Sequence, residues 1–209
     1  MLKKIRPAVA TVACAAMFLT ACGDDDAVVE QANPTTVAPV ASWQAGPAGL
    51  RVPISDEDGP FETIPVPHGF SHTPQGAVLA AITGQVWMAG ASDELWPEVA
   101  QYLLEPGIGR DQWSQSRALV SVSGTVDKPA DFRGYKFTEY GDRHAVVVIA
   151  SQWPDGTLTA YPVQVSHSTG QWRIVIPPQD QAVDMEIITE DTLSDFVVFS
   201  SQSQLTRQD

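Results

Sequence analysis

The chain has 209 residues, and its four histidines and two cysteines are the side chains with the most chemistry to offer. His68 and His72 stand four apart, the spacing that sets two imidazoles on one helical face and lets them share a metal. Pro67 and Gly69 flank His68, and neither residue sustains a helix. The local composition therefore predicts a structured loop, with His72 hydrogen-bonded near Thr73, and no metal. His144 opens a strand pattern and His167 falls in a turn, positions that read as surface. The chain contains no Gly-x-Ser-x-Gly elbow, Ser-x-x-Lys, His-Glu-x-x-His or phosphate loop. No catalytic residue, metal or cofactor is assigned on these patterns, and a non-enzymatic protein is expected.

The cysteines carry a different message. Lys3, Lys4 and Arg6 make a basic start, and no charged side chain follows from Pro7 to Gly23. A bilayer-spanning helix needs about 20 apolar residues, whereas secretory signals run about 7–15, and the flanks here fit an export signal. The run ends Leu19-Thr20-Ala21-Cys22, which resembles the lipobox of bacterial lipoproteins. In that family the cysteine is diacylated and the peptide is cut before it. The resemblance implies a signal peptide at residues 1–21, lipid attachment at Cys22 and residence on the extracytoplasmic face of the cell membrane. Cys14 leaves with the signal. The mature protein would then hold no free thiol and no disulfide.

Charge narrows the partners. Lys and Arg number 12 against 25 Asp and Glu, a net charge of −13. Such a surface repels phosphate, so nucleic acid is not an expected partner. It is also repelled by an anionic leaflet, which leaves two acyl chains on Cys22 to hold the protein to membrane lipid.

The elements that must position any site follow. Residues 22–62 are rich in Pro, Ala, Gly and Asp without period, and read as a flexible tether. Residues 63–209 read as one α+β domain with an acidic C-terminal segment. Thr73-Pro74 opens a helix to about Ala89, as N-cap and first helical residue. Val78, Ile82 and Val86 form one stripe, and Ala77, Ala81 and Gly84 a second one of small residues that another element can approach closely. Thr63 to Ser92 carries no Asp, Glu, Lys or Arg. Gln75, Gln85 and the glycines favour a buried core helix there over a second membrane span. Ser92 caps a second helix that ends near Leu104, and Asp111 caps a third from Gln112 to about Val120. Then the period becomes two. Strands are expected at Phe132–Tyr140, Arg143–Trp153, Thr157–Ser166 and Gln171–Ile176, a four-stranded antiparallel meander. Arg143–Trp153 reads as central and Pro162 as a bulge or an edge. Phe196-Val197-Val198-Phe199 is an apolar patch that covers an edge or the core. Trp113 and Trp172 are expected in the core.

Helices followed by a bent sheet resemble the cone-shaped NTF2-like fold. Within it, the block Pro67-His68-Gly69-Phe70-Ser71-His72-Thr73-Pro74-Gln75-Gly76-Ala77 and the hairpin Gly170-Gln171-Trp172-Arg173 resemble a family of actinobacterial envelope lipoproteins associated with conjugative elements. That resemblance implies N-terminal helices packed on the meander. It implies a scaffold or assembly role in a conjugation or type IV secretion-like system, with envelope proteins as partners. The loop containing His68, Phe70, His72 and Gln75 becomes the candidate interaction surface. Two alternatives accompany it. One is a lipoprotein that binds a small ligand in the cone. The other is an isomerase or hydratase, for which Asp131, Tyr135 and His144 supply the residue types.

Overall fold

A computed structural model describes residues 34–200. The expected signal peptide, the lipobox Leu19, Thr20, Ala21 and Cys22, and the first residues of the tether lie outside the described residues.

The chain first forms a two-stranded antiparallel hairpin, β1 (Ser42–Ala45) with β2 (Arg51–Ile54), turned by a short 3-10 segment at Pro47–Gly49. Three helices follow: α1 (Pro74–Gly90), α2 (Trp96–Tyr102) and α3 (Ile108–Arg117). The main sheet takes β3 (Asp131–Tyr140), β4 (His144–Gln152), β5 (Leu158–Ser166) and β6 (Arg173–Val175). Two short strands complete it, β7 (Glu186–Ile188) and β8 (Val197–Val198), with α4 (Glu190–Leu193) between them. The order across the sheet is β6-β5-β4-β3-β8, and β7 also pairs with β5.

This corrects the expected architecture. The sheet has six strands instead of four, a separate hairpin precedes the helices, and α4 follows β7, so the domain is sheet-dominated and its helices are not an N-terminal layer. The physical reason is length. β7 and β8 span three and two residues in an acidic, aperiodic tail, too short to show a period-two pattern. The hairpin is masked by its own Pro and Gly residues. Its presence also moves the start of the folded body. The stretch expected as tether up to Glu62 is structured from Ser42, with Trp43 and Val52 buried in the core.

α1 is the centre of the molecule. Thr73 caps it: its hydroxyl accepts from the Gly76 N–H at 3.0 Å and donates to Asp58 Oδ1 at 2.7 Å. The Ser71 hydroxyl donates to the same carboxylate oxygen at 2.6 Å. The helix packs on β2, on β4, β5 and β6, and on α2, which buries twelve of its seventeen residues. That is why it carries no charge. Gly84 gives the closest approach: a Cβ there would lie 2.5 Å from Ile174 Cδ1 on β6. The stripe of small residues is therefore the face that meets the sheet.

β4 is central, pairing with β3 and β5 along its length. Ala145, Val147 and Ile149 face α1 in the main core. Val148 and Ala150 face the other way, under Leu193 and Phe196 of the C-terminal segment. Two covered faces explain its unbroken apolar run. Along the outer edge of β5, residues 164–166 pair with β6 and residues 158–160 with β7. Pro162 sits in the unpaired gap between them, where its missing N–H costs nothing. Among the described residues no helix is long and apolar enough to cross a membrane.

Candidate functional site

The loop before α1 commits its side chains to the fold. His68 is buried, with Nδ1 donating to the Val66 carbonyl at 2.7 Å and its ring 4.4 Å from that of Tyr102. Phe70 is in the main core. The Gln75 amide donates to the backbone oxygens of Pro34 and Val37, at 2.7 and 2.8 Å. The Tyr135 hydroxyl donates to the same Val37 oxygen at 2.8 Å. Gln75 and Tyr135 thus hold the start of the described chain against the N-terminus of α1. The loop region exposes Glu62, Thr63 and His72, and with them two large apolar side chains. Phe61, Glu62, His68 and Gly69 bridge through backbone hydrogen bonds of 2.8–3.0 Å and close residues 63–67 into a tight loop. Ile64 stands at its tip, 83% exposed, and Phe61 at its base, 56% exposed.

His68 and His72 part company. The His72 ring stacks on His167 at 3.8 Å and 7° between planes, whereas the ring that His68 meets is Tyr102. Its Nε2 donates to the Asp142 carbonyl. Trp172 lies beneath both rings, its centroid 5.7 Å from His72 and 5.1 Å from His167, and Tyr140 flanks it at 6.4 Å. His167 is pushed below the ordinary histidine value, first by burial and then by the neighbouring His72. Parallel stacked imidazoles turn their nitrogen lone pairs along the ring planes and do not converge on one ion. Among the described residues no three His, Cys, Asp or Glu side chains cluster as metal ligands. His167 was expected as an isolated surface residue. Its pairing with a residue 95 positions away has no sequence signal.

Asp131, Tyr135 and His144 are not brought together. Asp131 is opposite Gln152 and forms an ion pair with Arg51 at 3.9 Å. His144 lies at the other end of β4, eight residues from Gln152, or about 26 Å of strand. It meets Glu139 at 3.3 Å. Tyr135 is fully buried, which pushes its hydroxyl up to about 12, and that hydroxyl is used on Val37. These positions serve the fold and do not form an acid–base site.

The concave feature lies elsewhere, between the C-terminal half of α1 and the sheet. A cleft of about 360 Å³ is lined by Leu50, Val86, Ala89, Phe132, Ile149, Trp153, Tyr161, Val163 and Met185, with Gln85, Ser151, Thr159 and Ala130 completing the wall. A lobe of about 110 Å³ continues from it past Gln85, Tyr161 and Val163 towards Ile174 and Ile176. Among the described residues no charged residue or histidine lines either part. The sequence singles out Gln85 only as a residue that argues against a membrane span, not as part of a cleft. Met185 was not legible, since its surroundings in sequence are acidic and aperiodic.

The fold and these sites define a class: a small sheet-dominated domain built around one buried helix, with an apolar cleft beside that helix. The chain matches a family described as a domain of unknown function, DUF8175, over residues 6–197, and it belongs to that family. No curated protein and no solved structure matches it.

Proposed function

We propose that the protein is a lipid-anchored, extracytoplasmic, non-catalytic scaffold that presents a rigid domain to an envelope protein partner. The anchor rests on the Leu19-Thr20-Ala21-Cys22 box behind a basic, uncharged-core leader. The partner surface rests on one observation, the backbone-bridged loop that holds Ile64 and Phe61 out in solvent. Exposed large apolar side chains on a rigid loop are poorly accounted for by folding and are favoured at interfaces. The resemblance of the 67–77 block and the 170–173 hairpin to envelope lipoproteins of conjugative elements supports an assembly role in a conjugation or type IV secretion-like system. Phe70 and His68, both buried, drop out of the interaction surface, and Phe61 and Ile64 replace them.

Two measurements test this. Mass spectrometry of the mature protein is expected to find a modified Cys22 as its N-terminus, and Cys22→Ala to leave the protein unprocessed or released from the membrane. An unmodified N-terminus at another residue sinks the anchor. A photo-crosslinker at position 64 in the native host is expected to capture one defined envelope protein, and Phe61→Asp with Ile64→Asp to abolish that product while leaving the melting temperature unchanged. Full biological activity of the double variant sinks the scaffold.

A further inference from the structure

We infer that the cleft beside α1 binds the hydrocarbon chain of an uncharged, single-chain lipid, of the monoacylglycerol or fatty-alcohol kind. This goes beyond the scaffold reading and does not depend on it.

Shape argues for a chain. The main cleft touches β3 at Phe132, β4 at Ile149 and β5 at Tyr161 and Val163, and its side lobe reaches β6 at Ile174. Four adjacent strands span about 14 Å, which sets the reach of cleft and lobe together across the sheet. Its volume of about 360 Å³ stands at the low end of the roughly 300–1,000 Å³ of small-molecule pockets. Val183 and Met185, both from the loop between β6 and β7, border the side lobe and the main cleft respectively, and each is about half exposed. Flexible methionine over an apolar trough adapts to a chain of variable length. Trp153, 43% exposed, stands at the mouth with Ile187, 80% exposed.

Charge argues for a neutral head. Among the described residues no Lys, Arg or His lines the cleft, so a carboxylate or phosphate would be desolvated there without a counter-ion. The chain's net charge of −13 adds repulsion. The Gln85 amide lies where cleft and lobe meet, and it makes no hydrogen bond among the described residues. The Ser151 and Tyr161 hydroxyls also make none. An amide and two hydroxyls beside an apolar trough match a hydroxyl or ester head, which both donates and accepts.

The test is photolabelling of the full chain in native membranes with three probes that share one diazirine-bearing acyl chain: a monoacylglycerol, the free fatty acid and a phosphatidylglycerol. The monoacylglycerol is expected to label peptides containing Phe132, Ile149, Tyr161 or Met185, and to exceed the two anionic probes. Ala89→Trp, a substitution at an exposed position on the wall, is expected to abolish that labelling. Gln85→Leu is expected to reduce it by about three- to tenfold, the loss of one hydrogen bond. If Ala89→Trp yields no folded protein, Gln85→Leu decides. Labelling outside the cleft, labelling that survives these substitutions, equal labelling by the fatty acid, or no labelling overturns the inference. The anchor reading can fail separately, because the probe is scored by where on the chain it lands, whichever fraction holds the protein.

Discussion

His72 and His167 tie the loop before α1 to the turn between β5 and β6, and their contact has a pH dependence whose sign is fixed by the geometry. The groups around the pair are the Asp142 carbonyl, which accepts from His72, and the Arg143 carbonyl, which accepts the His167 backbone N–H at 2.9 Å. Trp172 and Tyr140 supply the aromatic floor, and Glu105 reaches Ser168 on the same turn. The Asp142 carboxylate and the Arg143 guanidinium on the neighbouring turn are exposed, and water screens both. Burial and the neighbouring imidazole both disfavour a charged His167. Its folded value is depressed below the roughly 6.5 of an unfolded histidine, so the unfolded chain takes up the proton first. The contact's contribution is fully present above about pH 6.5 and falls as pH drops through that value. An NMR titration of the ring protons is expected to place His167 below 6.5. His167→Phe, which keeps a ring over Trp172, is expected to flatten the pH dependence of amide exchange in the 70–75 loop. A His167 titration at or above 6.5 contradicts the argument.

At the scale of elements, Trp172 and Trp113 separate what looked alike in sequence. Trp172 is 1% exposed, leads into β6 and packs against both histidines and Tyr140. Among the described residues its indole N–H has no partner, so its contribution is packing. Trp113 on α3 is half-buried and meets Trp96 edge-on at 6.3 Å. Trp172→Ala is expected to cost about 3–5 kcal/mol, and Trp113→Ala about 1–2 kcal/mol, by urea denaturation at neutral pH. Equal losses would mean that α3 is as deep as the sheet. The same contrast explains what was legible. α1, with Thr73 as its cap and its glycine meeting β6, could be read because its signals are local and most of its residues are buried. β3 and β5 could be read because nine or ten residues establish a period, and β4 from its unbroken apolar run. β7 and β8 could not, since they exist only through pairing with β5 and β3. α3 begins at Ile108 rather than Gln112, and its first turn lies against the chain after β6: a Cβ on Gly109 would lie 1.9 Å from the Ile176 oxygen. The cleft was illegible for a related reason. Its walls come from the hairpin, α1, three strands and the β6–β7 loop, and no local pattern links them.

For the whole molecule, the consequence lies in where the fold starts. A fragment from Phe61 to Asp209 would contain all of α1 and the main sheet, and on the sequence alone it reads as complete. The structure assigns three jobs to the residues it lacks. Trp43, 8% exposed, stacks on Phe132 at 5.8 Å and meets Phe199 edge-on at 5.5 Å. Val52 and Leu50 cover the side of α1 that the sheet leaves open. Asp58 accepts from the Ser71 and Thr73 hydroxyls that organise the helix start. Loss of a buried Trp alone costs about 3–5 kcal/mol, against a total stability of about 5–15 kcal/mol for a domain. Removal of Asp58 adds about 1 kcal/mol through the weakened cap. An uncharged helix with one face stripped is also an aggregation surface. The fragment from Phe61 is therefore expected to bind a hydrophobic dye, to lack a cooperative melt and to aggregate. A fragment from Pro34 is expected to be monomeric without detergent and to melt cooperatively. The pair of fragments matters more than either one. Aggregation of the shorter fragment would, by itself, look like evidence that residues 74–92 are a membrane segment. Solubility of the longer one, which contains the same residues, separates a stripped core helix from a lipid-facing one. Cooperative, detergent-free folding of the shorter fragment with unchanged stability would show that the hairpin is dispensable and that the fold begins at Thr63 after all.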